Sequence, residues 1–264
     1  MKQFTPILLY LLLGASTGFA QEVFQLAPPL VQYNSVFFKE KTTVFMEFAQ
    51  TGCQIHVTLN GKEPTANDPV YTRALEIKKH QTTVKAKVFG IGFLPSETVE
   101  VTFYQRGLDI LAINTSRPDK RYPGDGPLTL FDGKGGIPRS DSKTWMGFQQ
   151  DTVTVEITLK KPKKVQQVLL EVLHNAGSWI FLPQKVDIFC QEKGSSQLVQ
   201  VGTATFPALP KDAPALCHAL FIKPEKPVKT DRILVKVYPL TSIPAWHPGK
   251  GTRAWLFVDE IKLY

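Results

Sequence analysis

TVTVEITL, residues 152–159, alternates without a break: Val153, Val155, Ile157 and Leu159 fall on one face, and Thr152, Thr154, Glu156 and Thr158 on the other. Successive side chains of a strand point to opposite faces, so this is a strand with one face in a core and one in water. The same period recurs at Thr83 to Phe89, where Val84, Ala86 and Val88 alternate with Lys85 and Lys87, and at Thr98 to Phe103, where Val99, Val101 and Phe103 alternate with Glu100 and Thr102. Gln54 to Leu59, Val165 to Leu173, Lys185 to Cys190, Cys217 to Ile222, Arg232 to Tyr238 and Trp255 to Tyr264 are further strand-like runs. Between them, 20 prolines and 18 glycines leave little room for long helices. The chain reads as all-β.

The turns divide it. Gln54 to Leu59 runs into Asn60-Gly61, whose residues accept the positive φ of a tight hairpin, although Lys62-Glu63-Pro64 points to a longer loop. Gly90, Gly92 and Pro95 separate the next two strands; with no helix after it, Gly90-Ile91-Gly92 cannot cradle a phosphate. A Gly/Pro/Asp-rich stretch from Arg117 to Gly126 follows, and beyond it strands lengthen and tryptophan becomes more frequent. The boundary is placed near residue 105, giving a first domain over 21–104 and a second over 105–264.

Composition sets the class. Of 264 residues, 43% are hydrophobic and 20% charged, which is globular and excludes a disordered chain or a polytopic membrane protein. The formal charge of +8 comes from 31 basic and 23 acidic residues without a dense Lys/Arg stripe interleaved with aromatics, so nucleic acid is not the expected partner. The densest basic run, Lys160, Lys161, Lys163 and Lys164 around Pro162, reads as a solvated turn. Residues 1–20 carry Lys2, the apolar run Ile7 to Leu13 and the small-residue end Gly18-Phe19-Ala20, a secretory signal cleaved before Gln21. The apolar run is far shorter than the roughly 20 residues a spanning helix needs. The expected location is therefore periplasmic, cell-surface or secreted. An oxidising compartment permits a disulfide, but three cysteines, Cys53, Cys190 and Cys217, leave at least one unpaired. A Cys190–Cys217 bridge and buried free thiols are the two alternatives, and no Cys/His spacing fits zinc.

Ile55 to Thr65 (IHVTLNGKEPT), Pro69 to Tyr71, Val84 to Ser96 (VKAKVFGIGFLPS) and the strand to Phe103 resemble the small immunoglobulin-like domain called chitobiase/beta-hexosaminidase C-terminal or fibronectin-type-III-associated. Leu128 to Gly136 (LTLFDGKGG), Trp145 to Leu159 (WMGFQQDTVTVEITL), Trp179 to Pro183 (WIFLP) and Ile243 to Ile261 (IPAWHPGKGTRAWLFVDEI) resemble a discoidin, or coagulation factor five/eight type C, domain. In bacterial family 20 beta-hexosaminidases the two follow a catalytic (β/α)₈ barrel, which has no counterpart in this sequence. The resemblance thus implies an immunoglobulin/fibronectin-III-like sandwich followed by a discoidin-like jelly roll, acting as a noncatalytic accessory region.

Discoidin-type sandwiches, including family 32 carbohydrate-binding modules, hold sugars in loops at one end. A pyranose offers an apolar C–H face and a rim of hydroxyls, so its site wants exposed aromatics and a few polar groups. Two loops supply them here: His174, Asn175 and Trp179 in one, and Trp246, His247 and Arg253 in the other. Trp145 and Trp255 are expected in the core. The resemblance also implies a structural calcium at Asp132 and Glu260, whereas a plain Asp-Gly turn needs none. Asp259 and Glu260, adjacent on a strand, are expected to point to opposite faces and not to cooperate as a catalytic pair. The implied function is binding of a glycan, with N-acetylhexosamine-containing ones first. The alternatives are a module that docks on an envelope protein, for which Trp246 should sit in a flat apolar patch, and an accessory subunit of a separate glycoside hydrolase.

Overall fold

The computed structural model describes residues 23–141, 143–192 and 194–264, so the signal segment read at 1–20 lies outside the described residues. In the first half the strands are β1 (Leu30–Gln32), β2 (Phe37–Phe38), β3 (Thr42–Glu47), β4 (Cys53–Thr58), β5 (Leu75–Ile77), β6 (Gln81–Gly90) and β7 (Val99–Gln105). In the second they are β8 (Ile110–Thr115), β9 (Met146–Phe148), β10 (Val153–Val165), β11 (Val168–His174), β12 (Lys185–Gln191), β13 (Leu198–Thr205), β14 (Leu216–Ile222), β15 (Val228–Tyr238) and β16 (Leu256–Leu263). The described residues hold no α-helix, only the 3-10 turns Gly126–Phe131 and Ala176–Ser178, and no helix long and apolar enough to cross a membrane.

Each half is two stacked sheets. The first pairs β1-β3-β5 with β2-β7-β6-β4, and the second pairs β13-β12-β15-β10-β8 with β14-β11-β16-β9. Strands up to β7 share no sheet with strands from β8 onward. The alternation seen in sequence does the packing: Val84, Ala86 and Val88 of β6 meet Val44, Ile55, Val57 and Phe103, and Val153, Val155, Ile157 and Leu159 of β10 meet the inward residues of β11, β12, β15 and β16. Asn60-Gly61 does not close a two-residue hairpin; the chain makes the longer loop that Lys62-Glu63-Pro64 suggests and returns antiparallel to β4 at Val70, with the Tyr71 N–H donating to the Ile55 carbonyl at 2.7 Å, while the other edge of β4 pairs with β6. The lysine run is also not a turn. β10 continues to Val165, slipping register against β15 between Thr158 and Lys163, and that irregularity accommodates Pro162, which has no N–H for the ladder. All three cysteines are free. Cys190 points into the core between the sheets, whereas Cys217 lies on the outer face of the four-stranded sheet, so the bridge alternative fails on geometry.

That outer face is where the halves meet. Phe37, Tyr104 and Leu169 are buried together, with Val36, Ala219, Phe221 and Tyr264 packed around them. Polar bonds fasten the seam: Ser35 Oγ lies 2.7 Å from the Lys134 carbonyl oxygen, the Leu108 N–H donates to the Leu263 carbonyl at 2.7 Å, and the Tyr264 hydroxyl donates to Gln105 at 3.0 Å. Truncating Phe37 leaves a hole at this seam worth about 3 kcal/mol. Phe37→Ala is therefore expected to split one calorimetric unfolding transition into two, with the first half melting earlier. A single transition at the wild-type temperature would contradict the packing described.

Candidate functional site

The discoidin-like loops converge at one end of the second sandwich. Trp179 leaves the Ala176–Ser178 turn with φ 61°, the left-handed region, and among the described residues no other non-glycine has a positive φ. For a bulky residue this backbone costs on the order of 1–3 kcal/mol and must be held by its surroundings. Its N–H donates to the Ala176 carbonyl at 2.9 Å, and its own carbonyl accepts from the Trp255 N–H at 2.8 Å. Gly249 closes the arrangement from the other loop, since a Cβ there would run into the Trp179 indole. Trp179 remains 40% exposed and Trp246 36%.

His247 stands between the two indoles, with ring centroids 4.9 Å from Trp179 and 5.5 Å from Trp246. It is only 5% exposed. Its Nε2–H donates to the Ala176 carbonyl at 2.8 Å and its Nδ1 accepts the Gly249 N–H at 3.0 Å, which fixes the tautomer and ties the two loops together. Below lie Phe181, Ile243 and Ala254, all buried, which the sequence reading had not marked. The result is two indoles on a rigid base.

The remaining residues read as a sugar rim take other places. His174, expected in the loop, is 1% exposed at the end of β11; its Nδ1 donates to the Pro214 carbonyl at 3.3 Å and its ring faces Phe181. It supports the site from beneath, because β11 runs one residue further than its apolar pattern and carries the side chain inward. Asn175 caps the turn, its Oδ1 accepting the Ser178 N–H at 3.2 Å. Arg253 is partly exposed and ion-paired to Asp151, a partner with no signal in the sequence. Trp145 is buried, donating to the Ile137 carbonyl at 3.0 Å, whereas Trp255 stays half-buried beneath the Arg121 guanidinium, 4.9 Å from its ring.

A cluster of acids lies on the outer face of β11 and β16. Register skips Asp259: Glu171 faces Glu260, and Val172 faces Val258. This bulge puts Asp259 and Glu260 on the same face, which corrects the expectation that they oppose one another. Gly136 donates its N–H to Glu171 at 3.1 Å, and has no room for a side chain between Trp145 and Asp259. Asp259 and Glu171 are hydrogen-bonded; burial, then the Glu171 charge, pushes the Asp259 carboxyl well above the usual range, and burial pushes Glu171 the same way. Asp259 is thus the partner that holds the proton. Burial also raises Glu260 to about 7.

The calcium expected at Asp132 and Glu260 does not suit these side chains. Glu260 Oε2 accepts the Gly133 N–H at 2.6 Å, and Oε1 accepts from Lys262 Nζ at 2.8 Å. Lys262 is itself buried, its ammonium 5.1 Å from the Phe37 ring centroid. Asp132 Oδ1 accepts the Lys134 N–H at 2.8 Å and Oδ2 lies 3.5 Å from Lys134 Nζ. Hard cations need six to eight oxygens, and here both carboxylates are spent on nitrogen donors with an ammonium beside them. Among the described residues no group of three or more His, Cys, Asp or Glu side chains could hold a metal.

Residues 34–100 match the family profile of the chitobiase/beta-hexosaminidase C-terminal domain. Curated protein sequences give no match. Among solved structures, the chain is similar to a GH29 fucosidase of Ruminococcus gnavus, with 13% identity and a TM-score of 0.36, covering 58% of this chain and 24% of the fucosidase. It is similar to the CBM32 module of AlyQ solved with 4,5-unsaturated mannuronic acid, with 15% identity and a TM-score of 0.38 over 60% of this chain and 97% of the module. A pair of CBM32 domains of Clostridium perfringens ZmpB, solved with GalNAc, matches with 13% identity and a TM-score of 0.38 over 59% of this chain and 33% of that one.

The acid cluster makes stability depend on pH. Glu260 ionises near its ordinary 4.5 when unfolded and near 7 when folded, so the folded state binds more protons across that window and stability falls as pH rises through it. The difference amounts to about 3 kcal/mol. Against Glu260→Gln, which stays neutral, wild type should lose stability by about that amount between pH 5 and pH 8 in paired denaturant melts; a constant difference would refute the assignment. A chelator should leave the melting temperature unchanged, because Lys262 occupies the cation's place, and a drop on chelation would restore the metal.

Proposed function

We propose that the protein is a noncatalytic carbohydrate-binding module whose ligand rests on Trp179 and Trp246. One observation carries this reading: the left-handed backbone at Trp179, held by the neighbouring loop, with the indole still open to solvent. Folding alone does not require a strained tryptophan at a surface. Strain of this kind gathers where a side chain must be aimed. An indole face covers the C–H face of a pyranose, and the side-chain amide N–H groups of Asn175, in the turn that delivers Trp179, are left for the hydroxyl rim while its Oδ1 caps the turn. His247 and His174 position the indoles and do not touch the ligand. N-acetylhexosamine-containing glycans come first because of the profile matched at 34–100, and an exported module fits the leader read at 1–20.

The protein-docking reading has its own support. Trp179 and Trp246 are both open to solvent on either side of the buried His247, the exposed apolar surface that reading calls for. A glycan array followed by titration calorimetry separates the two. Binding of N-acetylhexosamine oligomers that weakens about tenfold in Trp179→Ala and Trp246→Ala, with melting temperatures retained, is the expected result. A blank array with folded protein would sink the carbohydrate reading and leave the docking one.

A further inference from the structure

The seam between the two halves opens on one side into a cleft of about 760 Å³, lined by Lys39, Gln105 to Asp109, and Lys160, Lys161 and Lys163. Lys39 follows β2, Arg106 lies in the connection between β7 and β8, and the other lysines belong to β10, so three segments from both halves supply the charge. Arg106 is ion-paired to Asp109. Lys39, Lys160, Lys161 and Lys163 have no carboxylate partner among the described residues, and all four are exposed. The next rung of the ladder sets Lys164 directly opposite Lys229. Like charges facing one another across strands are destabilising, so this rung adds to the positive charge beside the cleft at a cost to folding.

The walls are fixed. The Arg106 N–H donates to the Phe38 carbonyl at 2.6 Å, and the Leu108 N–H to the Leu263 carbonyl at 2.7 Å. The backbones that carry the lysines are therefore tied to one another across the seam, and the ordering left for binding is that of the lysine side chains themselves. Four unpaired ammoniums in a concave space concentrate anions. The lining has no aromatic ring, so bases cannot stack there as single-stranded nucleic acid requires, and Leu108 is the one large apolar side chain along it.

We propose that this cleft is a second binding site, for an acidic oligosaccharide carrying several sulfate, phosphate or carboxylate groups, gripped by ion pairs from both halves of the chain. That the anion's carrier is a saccharide rests on the proposed function; the anion site itself does not. The cleft and the indole platform draw on different residues, so each can fail alone.

The test uses a heparin-derived hexasaccharide as probe, with calorimetry at low and at physiological salt. Expected are binding that weakens steeply as salt rises, an about tenfold loss in Lys161→Glu/Lys163→Glu, and a smaller loss in Lys39→Ala, which removes charge from the opposite wall. Trp179→Ala should bind the probe as wild type does, whatever happens to its neutral-glycan binding. Absence of binding at low salt overturns the site. Unchanged binding in the double variant with a wild-type melting temperature places the anion elsewhere and overturns it too. Equal affinity for a single-stranded oligonucleotide of matching charge overturns the saccharide assignment.

Discussion

The bulge at Asp259 is the constraint on which the second half of the chain turns. Leu256 and Val258 point into the core, and so do Ile261 and Leu263; two such pairs separated by an odd step cannot lie on a regular strand. One extra residue restores the inward face, and its consequence is that Asp259 and Glu260 leave the core together. They emerge beside Glu171, under a loop that carries Gly133 and Gly136, and next to the aromatic patch that receives the first half. Three carboxyls in so little water survive because one keeps its proton and another is matched by the Lys262 ammonium.

From this cluster the order spreads in two directions. Toward the seam, Lys262 lies over Phe37 and Ser35 reaches the Gly133 and Lys134 carbonyls, so the acid cluster and the interdomain contact share atoms. Toward the platform, Gly136 packs on Trp145, whose indole bonds to Ile137, and Ser140 Oγ lies 3.2 Å from Ser178 Oγ in the turn that delivers Trp179. The indole platform is therefore braced against the same loop that covers the acids. A ligand on Trp179, as proposed, would meet a surface already organised, the cost of organising it falling on folding.

The strands were largely legible in sequence because alternation is a local signal: β6, β7 and β10 each announce their inward face. Pairings between distant segments were less so. The resemblance brought Trp179, Trp246 and His247 forward as candidates, and the structure sets the His247 ring against both indoles, yet nothing in the sequence distinguishes the buried His247 from the open Trp246 that precedes it. His174 looked like a loop residue because the apolar run of β11 stops at Leu173, although the strand does not. The lysine run looked like a turn because charge and Pro162 usually mean one, while a register slip let the strand absorb both. The break in parity between Val258 and Ile261 was a readable sign of the bulge, and with it the shared face of Asp259 and Glu260. Lys262 gave no such sign, since an ammonium buried against its own strand's glutamate is legible only once the covering loop is in place.

The two surfaces differ in physics in a way that bears on how one chain would use them. On the proposed reading, the indole platform would bind by dispersion at low charge, with an affinity that depends little on salt and much on the shape of a sugar face. The proposed cleft would bind through point charges, with an affinity that depends on charge number, charge spacing and ionic strength more than on stereochemistry. A polymer that carries both neutral residues and acidic ones could engage the platform and the cleft together, and the second contact would then be intramolecular, strengthened by effective concentration rather than by new interactions. The rigid seam is what makes this arithmetic work: if Phe37 and Leu169 did not lock the halves, Lys39 would drift from Lys161 and the cleft would lose the fixed spacing that distinguishes it from scattered surface lysines.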